Sequence, residues 1–438
     1  MGLFDFFRRK KRADATAPKL REIWCGFQQI LADNNEVMGL IGSLEEMLVS
    51  QKDLDLAYLN SRIWLLDHHV ASLVAALHKI SGAKYPELES ARVRIKEAIA
   101  PRLEAAAAFP ASPLIVRLEE AGPELLAALG GKAGNLARVK NQLALPVPDG
   151  AVATLSAYKL FMEQELPDGG GTLLSRLVSG LHNLDLANEA LVGQVSQELQ
   201  HLILAQPMPP ELAGALLQAA QRLAPEGGHR LAVRSSGGRE DITASFAGQY
   251  KSFLGVTPAE VPDRWRRVVA SQFGEGAIIY FKLQGLLLEE AAMGVLIQRL
   301  VEARSAGVML TTDPAGGSPE NLLISATWGL AADLVAGRMA GDEYLVAKAN
   351  GRLIQARYGR KEHLLQVREG RLEKHPVAPE LVEASVLEAG DLERLSSYAR
   401  ILEAHCGCPH CVEWVKDAQG DLQVVQSRHL LPADNARR

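Results

Sequence analysis

Cysteine is scarce and poorly distributed for cross-linking. The 438-residue chain has four, and three of them stand at 406, 408 and 411, which excludes a disulfide framework. An excess of either charge is also missing. Lys and Arg number 47 against 52 Asp and Glu, a net charge of −5, so no global basic field is available to hold nucleic acid. No apolar run approaches the roughly 18–20 residues that span a bilayer. The first charges follow the first apolar residues, the reverse of a secretory signal. A cytoplasmic location is the expectation. The GxxxxGK[ST] phosphate loop is lacking, as is any internal repeat. What remains is an ordinary globular composition, 47% hydrophobic and 23% charged, in a chain too long for one small core.

Residues 1–18 are expected to be a flexible basic and aromatic terminus. Leu3, Phe4, Phe6 and Phe7 precede Arg8, Arg9, Lys10, Lys11 and Arg12. Such a pairing favours peripheral contact with an anionic membrane, with a solvated terminus as the alternative. Residues 19–108 read as a helical domain. Leu20, Ile23, Trp24, Phe27, Ile30 and Leu31 recur at helical spacing. Asn34-Asn35 is expected to break that helix. Further helices run through Val37–Leu48, from about Asp53 to Leu73, and through Val93–Leu103, with an interruption at Gly82 and Pro86. Adjacent His68 and His69 point in different directions on a helix, which argues against a shared ligand role.

Residues 109–124, with Phe109-Pro110-Ala111-Ser112-Pro113, read as a linker. Beyond them, across 125–434, short apolar runs alternate with helical stretches. Strands are expected at 150–154, 230–234, 294–298, 307–311, 322–326, 344–347, 412–415 and 423–426, with helices at 156–164, 211–223 and 391–406. The mixture predicts an α+β module.

Four segments of that module carry chemistry. Gly130-Gly131-Lys132 precedes a helical pattern through Leu136, Val139 and Leu143, a plausible phosphate cradle at a helix N-terminus. Leu231-Ala232-Val233-Arg234-Ser235-Ser236 sets an arginine and hydroxyls at a strand end, which suits a polyanion. Ala306 to Asp313 reads as a buried strand ending in a polar turn. Val412-Glu413-Trp414-Val415 and Leu422 to Arg428 flank a turn at 417–421 and read as a hairpin. It gathers Glu413, Gln426 and Arg428, oxygen ligands for Mg²⁺ beside a phosphate-binding guanidinium.

Taken in order, GGK…LPVPDG, AVRSS…EDITASFAGQ, AGVML-TTDP, TWGL and CPxxVEW…VVQSR resemble the nucleotide-binding domain of phosphoenolpyruvate synthase and pyruvate phosphate dikinase. The resemblance covers about residues 125–432. It implies an ATP-grasp-like fold whose two lobes clamp ATP, here preceded by an all-α region. It also implies roles at matching positions. Lys132 and Arg234 would hold phosphates, and Gln298, Leu300 and Val301 would lie near the adenine. Glu413 and Gln426 would sit at Mg²⁺. Arg428, with Arg234, would act on the transferred phosphoryl group, a reaction governed by positioning and charge neutralisation.

Three acids of the family pattern are changed. Its Asp-Ile-Glu-Trp is Cys411-Val412-Glu413-Trp414 here, and Ser325 and Ala332 replace acids around Trp328-Gly329-Leu330, with Asp333 adjacent. Because Mg²⁺ prefers oxygen, these changes should weaken its binding. The family's histidine-bearing segment and its barrel have no counterpart here, and His229 does not match the histidine motif. The resemblance therefore implies an ATP-binding phosphotransferase subunit that passes its group to a histidine on a separate protein. The helical region would dock that protein, a second copy or a membrane. The rival is a nucleotide-sensing scaffold that has lost the chemistry. Cys406, Cys408 and Cys411 with His410 leave three readings open: a soft-metal site, a redox-sensitive thiol, or packed free cysteines.

Overall fold

The computed structural model describes residues 20–49, 56–82, 84–106, 112–167, 169, 171–182, 184–186, 188–225, 230–237, 250–283, 292–313, 318–368 and 370–430. The expectations for the terminus 1–18, for His229 and for the segment 238–249 lie outside the described residues. The chain divides into two compact units, one of residues 1–108 with 281–290, the other of 109–280 with 291–438.

The first unit is built on helices α1 (Leu20–Val49), α2 (Leu56–Ser81) and α3 (Pro86–Ala106). Here the expected break fails, for α1 runs unbroken through Asn34-Asn35. Asparagine in a helix costs at most about 0.7 kcal/mol relative to alanine, and tertiary contact at the same turn outweighs it. Asp33 is buried. It accepts a hydrogen bond from Gln29 Nε2 at 3.0 Å and lies 2.9 Å from His69 Nδ1 of α2. His69 thus serves helix pairing. Asp67 of α2 in turn accepts from Arg92 and, at 3.0 Å, from Lys96 of α3. No helix among the described residues is long and apolar enough to cross a membrane.

The second unit is α+β, with antiparallel sheets. The first sheet contains β1 (Ile115–Arg117), β2 (Gly150–Ala153), β3 (Leu231–Gly237), β4 (Ser252–Val256) and β5 (Met293–Arg299), in the order β1-β2-β5-β3-β4. The second contains β6 (Ala303–Leu310), β7 (Asn321–Trp328), β8 (Asp342–Ala347), β9 (Leu353–Arg357), β12 (His410–Asp417) and β13 (Leu422–His429). Its order is β13-β12-β6-β7-β8-β9, and β10 (His363–Arg368) and β11 (Arg371–Pro376) form a separate hairpin. Each of the eight expected strand segments coincides with a strand. Part of the expected linker is itself a strand, because Ile115–Arg117 pairs with β2 and Leu118 behind it is fully buried.

One continuous core joins the sheets, with Leu136, Leu296, Met309, Ile324 and Trp414 among its members. The helix α4 (Gly131–Asn141) contributes Leu136 and Val139 to it. Only Leu300, Val301 and Glu302 separate β5 from β6. The chain therefore crosses from one sheet to the other just after Gln298 and Arg299, at Leu300, Val301 and Glu302.

Candidate functional site

Alternation along β12 sorts the hairpin side chains. Val412 and Trp414 enter the core, so Cys411, Glu413 and Val415 share the opposite face. Pairing places Gln426 opposite Glu413 and Arg428 opposite Cys411, while Val415 lies beside Ala306 of β6. Successive same-face residues are roughly 7 Å apart. The face therefore runs from Arg428 and Cys411, through Glu413 and Gln426, to an apolar end. Ala306 and Val415 form that end, with Val301, Leu330, Ala331 and Val425 packed against them. Gly307 lets the strands close up, since a Cβ there would run into Ser325 O and the Trp414 ring.

Arg234 of β3 reaches across to this face. Its Nη1 donates to Val425 O at 2.8 Å, and its Nη2 donates to Glu413 Oε2 at 3.1 Å and Gln426 Oε1 at 2.8 Å. The glycine turn docks on the far end of the same strand. Ser236 Oγ accepts from Ala133 N at 2.9 Å and donates to Leu129 O at 2.8 Å. Lys132 at the start of α4 extends its Nζ to within 3.5 Å of Ser235 Oγ. Gly130 makes the approach possible. Its φ of 76° and ψ of 172° are essentially confined to glycine, and a Cβ would meet Ser236 O. Gly130→Ala should therefore destabilise the fold by about 1–3 kcal/mol and shift Lys132. Denaturant unfolding and nucleotide titration of the variant check this together. Unchanged stability with unchanged binding would remove the turn from the site.

These groups line one cavity of about 780 Å³, within the size range of small-molecule sites. All eight residues singled out in the sequence lie on its wall: Lys132, Arg234, Gln298, Leu300, Val301, Glu413, Gln426 and Arg428. Sequence reasoning missed other wall residues, among them Tyr250, Phe253 and Leu254 on the first sheet's side and Leu330, Ala331 and Val335 on the second's. The Trp328-Gly329-Leu330 motif was the available signal for Leu330 and Ala331. Nothing in the sequence marks Phe253 or Leu254.

Glu413 Oε2 and Gln426 Oε1 converge on a single nitrogen of Arg234. Two oxygens aimed at one cationic point, one from a carboxylate and one from an amide, fit the donor set of Mg²⁺. Around them carboxylates are few. Ala332 lines the cavity without one. Asp333 does not stand in for it, being buried and paired with Arg338 at 2.7 Å and Lys374 at 2.9 Å. Those two cations hold its carboxyl below the usual range. The Cys411 thiol lies against Arg428. Burial pushes its pKa up despite the guanidinium, so position 411 is neutral.

The cysteine cluster is divided by the strand. Cys411 is on the cleft face, whereas adjacent His410 points away and lies 3.0 Å from Ser427 Oγ through Nδ1. Burial, with His429 and Arg138 nearby, pulls His410 down to about 4. Burial also pushes the Cys406 and Cys408 thiols up, the opposite of what an activated, redox-sensing thiolate needs.

Residues 126–436 match the family described as pyruvate phosphate dikinase, AMP/ATP-binding domain. A probable phosphoenolpyruvate synthase of Methanothermobacter thermautotrophicus is 34% identical over 317 residues, 71% of this chain and 45% of that protein. The phosphoenolpyruvate synthase of Pyrococcus furiosus is 28% identical over 342 residues, 69% of this chain and 42% of its own length. A rifampicin phosphotransferase of a Streptomyces species is 31% identical over 320 residues, 72% and 36% respectively. The chain thus spans less than half the length of these curated relatives.

Proposed function

Because the chain belongs to the pyruvate phosphate dikinase AMP/ATP-binding domain family, we propose that it binds Mg-ATP in the cleft and passes a phosphoryl group to a histidine on a separate protein. The observation that carries this reading is the polarity of the wall. An apolar end at Val301, Leu330, Ala331 and Val425 suits a purine. A charged end at Lys132, Arg234 and Arg428 suits a polyphosphate. The distance between the ends is set by the pairing of β12 with β13 and β6.

In this reading Gln298, Leu300 and Val301 border the base, and Lys132 and Arg234 hold phosphate oxygens. Glu413 and Gln426 would hold Mg²⁺, which would neutralise phosphate charge. Arg234, whose Nη1 is held by Val425 O, would present the rest of its guanidinium to phosphate. Arg428 stands beyond Glu413, with a neutral thiol instead of a carboxylate next to it. Its charge is therefore available to the migrating phosphoryl group. The helical unit docks the histidine-bearing partner. α1 exposes Trp24, Phe27, Leu31 and Met38, an apolar series at helical spacing.

Saturating ATP tests the first step. At a hundredfold excess over Kd, a ligand bound only by the folded state adds about 2.7 kcal/mol of stability. A Mg²⁺-dependent gain in stability of that size, read as a rise in melting temperature, is the expected result. Labelled ATP, with the histidine-bearing portion of a phosphoenolpyruvate synthase supplied as a separate protein, tests the second. Absence of transfer under saturating ATP would discard the phosphotransferase reading. A second reading, a nucleotide-sensing scaffold, draws support from Ala332, Cys411 and the committed Asp333. It expects the melting shift without transfer.

A further inference from the structure

On the face of the β12–β13 hairpin opposite the cleft, we propose a zinc site made by Cys406, His410 and His429, with Cys408 as its fourth ligand. Three elements converge there. Cys406 ends helix α5 (Ala389–Cys406), and Gly407 at φ 70° caps the helix and turns the chain back. His410 opens β12 and pairs in register with His429 near the end of β13. Their rings lie 4.8 Å apart, edge to face. One ligand atom from each of Cys406, His410 and His429 lies within 4.8 Å of the other two. Cys408 Sγ stands 4.0 Å from His410 Nε2. Zinc bonds of about 2.3 Å to sulfur and about 2.0 Å to nitrogen set tetrahedral ligand atoms roughly 3.5 Å apart. Binding would draw ligand atoms that now stand up to 4.8 Å apart to that spacing, by rotation of the four side chains.

Two further features fit a metal centre. His410 is buried, and its Nδ1 is engaged by Ser427 Oγ at 3.0 Å. This leaves Nε2 facing the sulfur, as an outer-shell partner fixes a ligating imidazole. Two thiolates and two neutral imidazoles around Zn²⁺ carry no net charge. That matters beside Arg138, whose positive charge acts on Cys406, His410 and His429. A set without Cys408 would place a net cation there. Cys411 is not part of the site, because its thiol lies on the other face against Arg428. The ligand pattern is therefore C-x-C-x-H followed by a distant His, not three cysteines.

The test is titration of the metal-free, full-length chain with Zn²⁺ against a chromophoric chelator, and with Co²⁺ followed by absorption. One ion per chain is expected, with a sulfur-to-cobalt charge-transfer band and tetrahedral d–d bands. Ser427→Ala should weaken binding by about 10–100-fold, the usual effect of losing an outer-shell partner. Cys406→Ser and His429→Ala should weaken it more, and Cys411→Ser should leave it unchanged. Circular dichroism of each metal-free variant verifies that it is folded. A folded parent chain that binds no zinc overturns the proposal, and so does binding that survives His429→Ala but is lost in Cys411→Ser.

Discussion

Arg428→Ala is expected to slow phosphoryl transfer by about 10³-fold or more while weakening ATP binding far less. An arginine that meets charge developing on a transferred phosphoryl group is worth about 10³–10⁵ in rate, or roughly 4 kcal/mol of barrier at the lower bound. Arg428 occupies the extreme of the cleft wall, opposite Cys411 and one same-face step beyond the Glu413–Gln426 pair. From there it would reach the reacting end of a triphosphate and little else. Lys132→Ala should show the converse, a larger loss in affinity than in rate. Arg234→Ala should lose both, together with stability, because Arg234 also links β3 to Val425, Gln426 and Glu413. Single-turnover transfer of label, measured beside ATP titration, separates the three variants. Arg428→Lys should restore little, since an ammonium cannot make the paired contact of a guanidinium. Equal losses in rate and affinity for Arg428→Ala would remove it from the reacting centre.

Much of this wall was legible because its residues lie on short elements with strong local signals. Glu413 and Gln426 flank a five-residue turn, so a hairpin pattern alone brings them together. Arg234 ends an apolar strand, and Lys132 follows a glycine pair. The partners of these residues were hidden for a physical reason. Arg234 meets Glu413 only because the chain crosses between sheets after β5, at a sequence separation of 179. No local period reports such a contact. Phe253 and Leu254 read as an ordinary apolar pair until β4 is placed beside β3. Asn34-Asn35 misled in the other direction. A weak local preference against helix was overridden by the contact between Asp33 and His69. Cys411 is next to His410 in sequence, yet strand alternation puts the two on opposite faces, with Cys411 opposite Arg428.

Lys361→Met is expected to destabilise the fold by about 3–5 kcal/mol, the usual consequence of removing one partner from a buried ion pair. In sequence the residue sits in Gly359-Arg360-Lys361-Glu362-His363 and reads as a solvated charge. In the structure Lys361 and Asp342 are both fully buried. Lys361 Nζ donates to Asp342 Oδ1 and, at 2.8 Å, to Gly359 O. Asp342 also accepts from Gly359 N at 3.0 Å, Val386 N at 2.9 Å and the Tyr344 hydroxyl at 2.9 Å. That phenol stays protonated, since burial pushes it up to about 12. Asp342→Ala should therefore cost more than Lys361→Met. It strands the ammonium and leaves up to three further donors without this acceptor, at about 1–3 kcal/mol for each one left unsatisfied. The double variant Asp342→Leu/Lys361→Met should recover part of the loss but not all, because those donors stay unmet. Asp342 lies on β8 opposite Ala326 of β7, three residues before the Gly329-Leu330 turn at the cleft. ATP affinity should accordingly fall with stability in the single variants and partly return in the double. Urea unfolding midpoints and ATP titration decide it. A Lys361→Met protein within about 1 kcal/mol of the parent would mean that the pair is not closed off from water, and the second sheet would have to be anchored elsewhere.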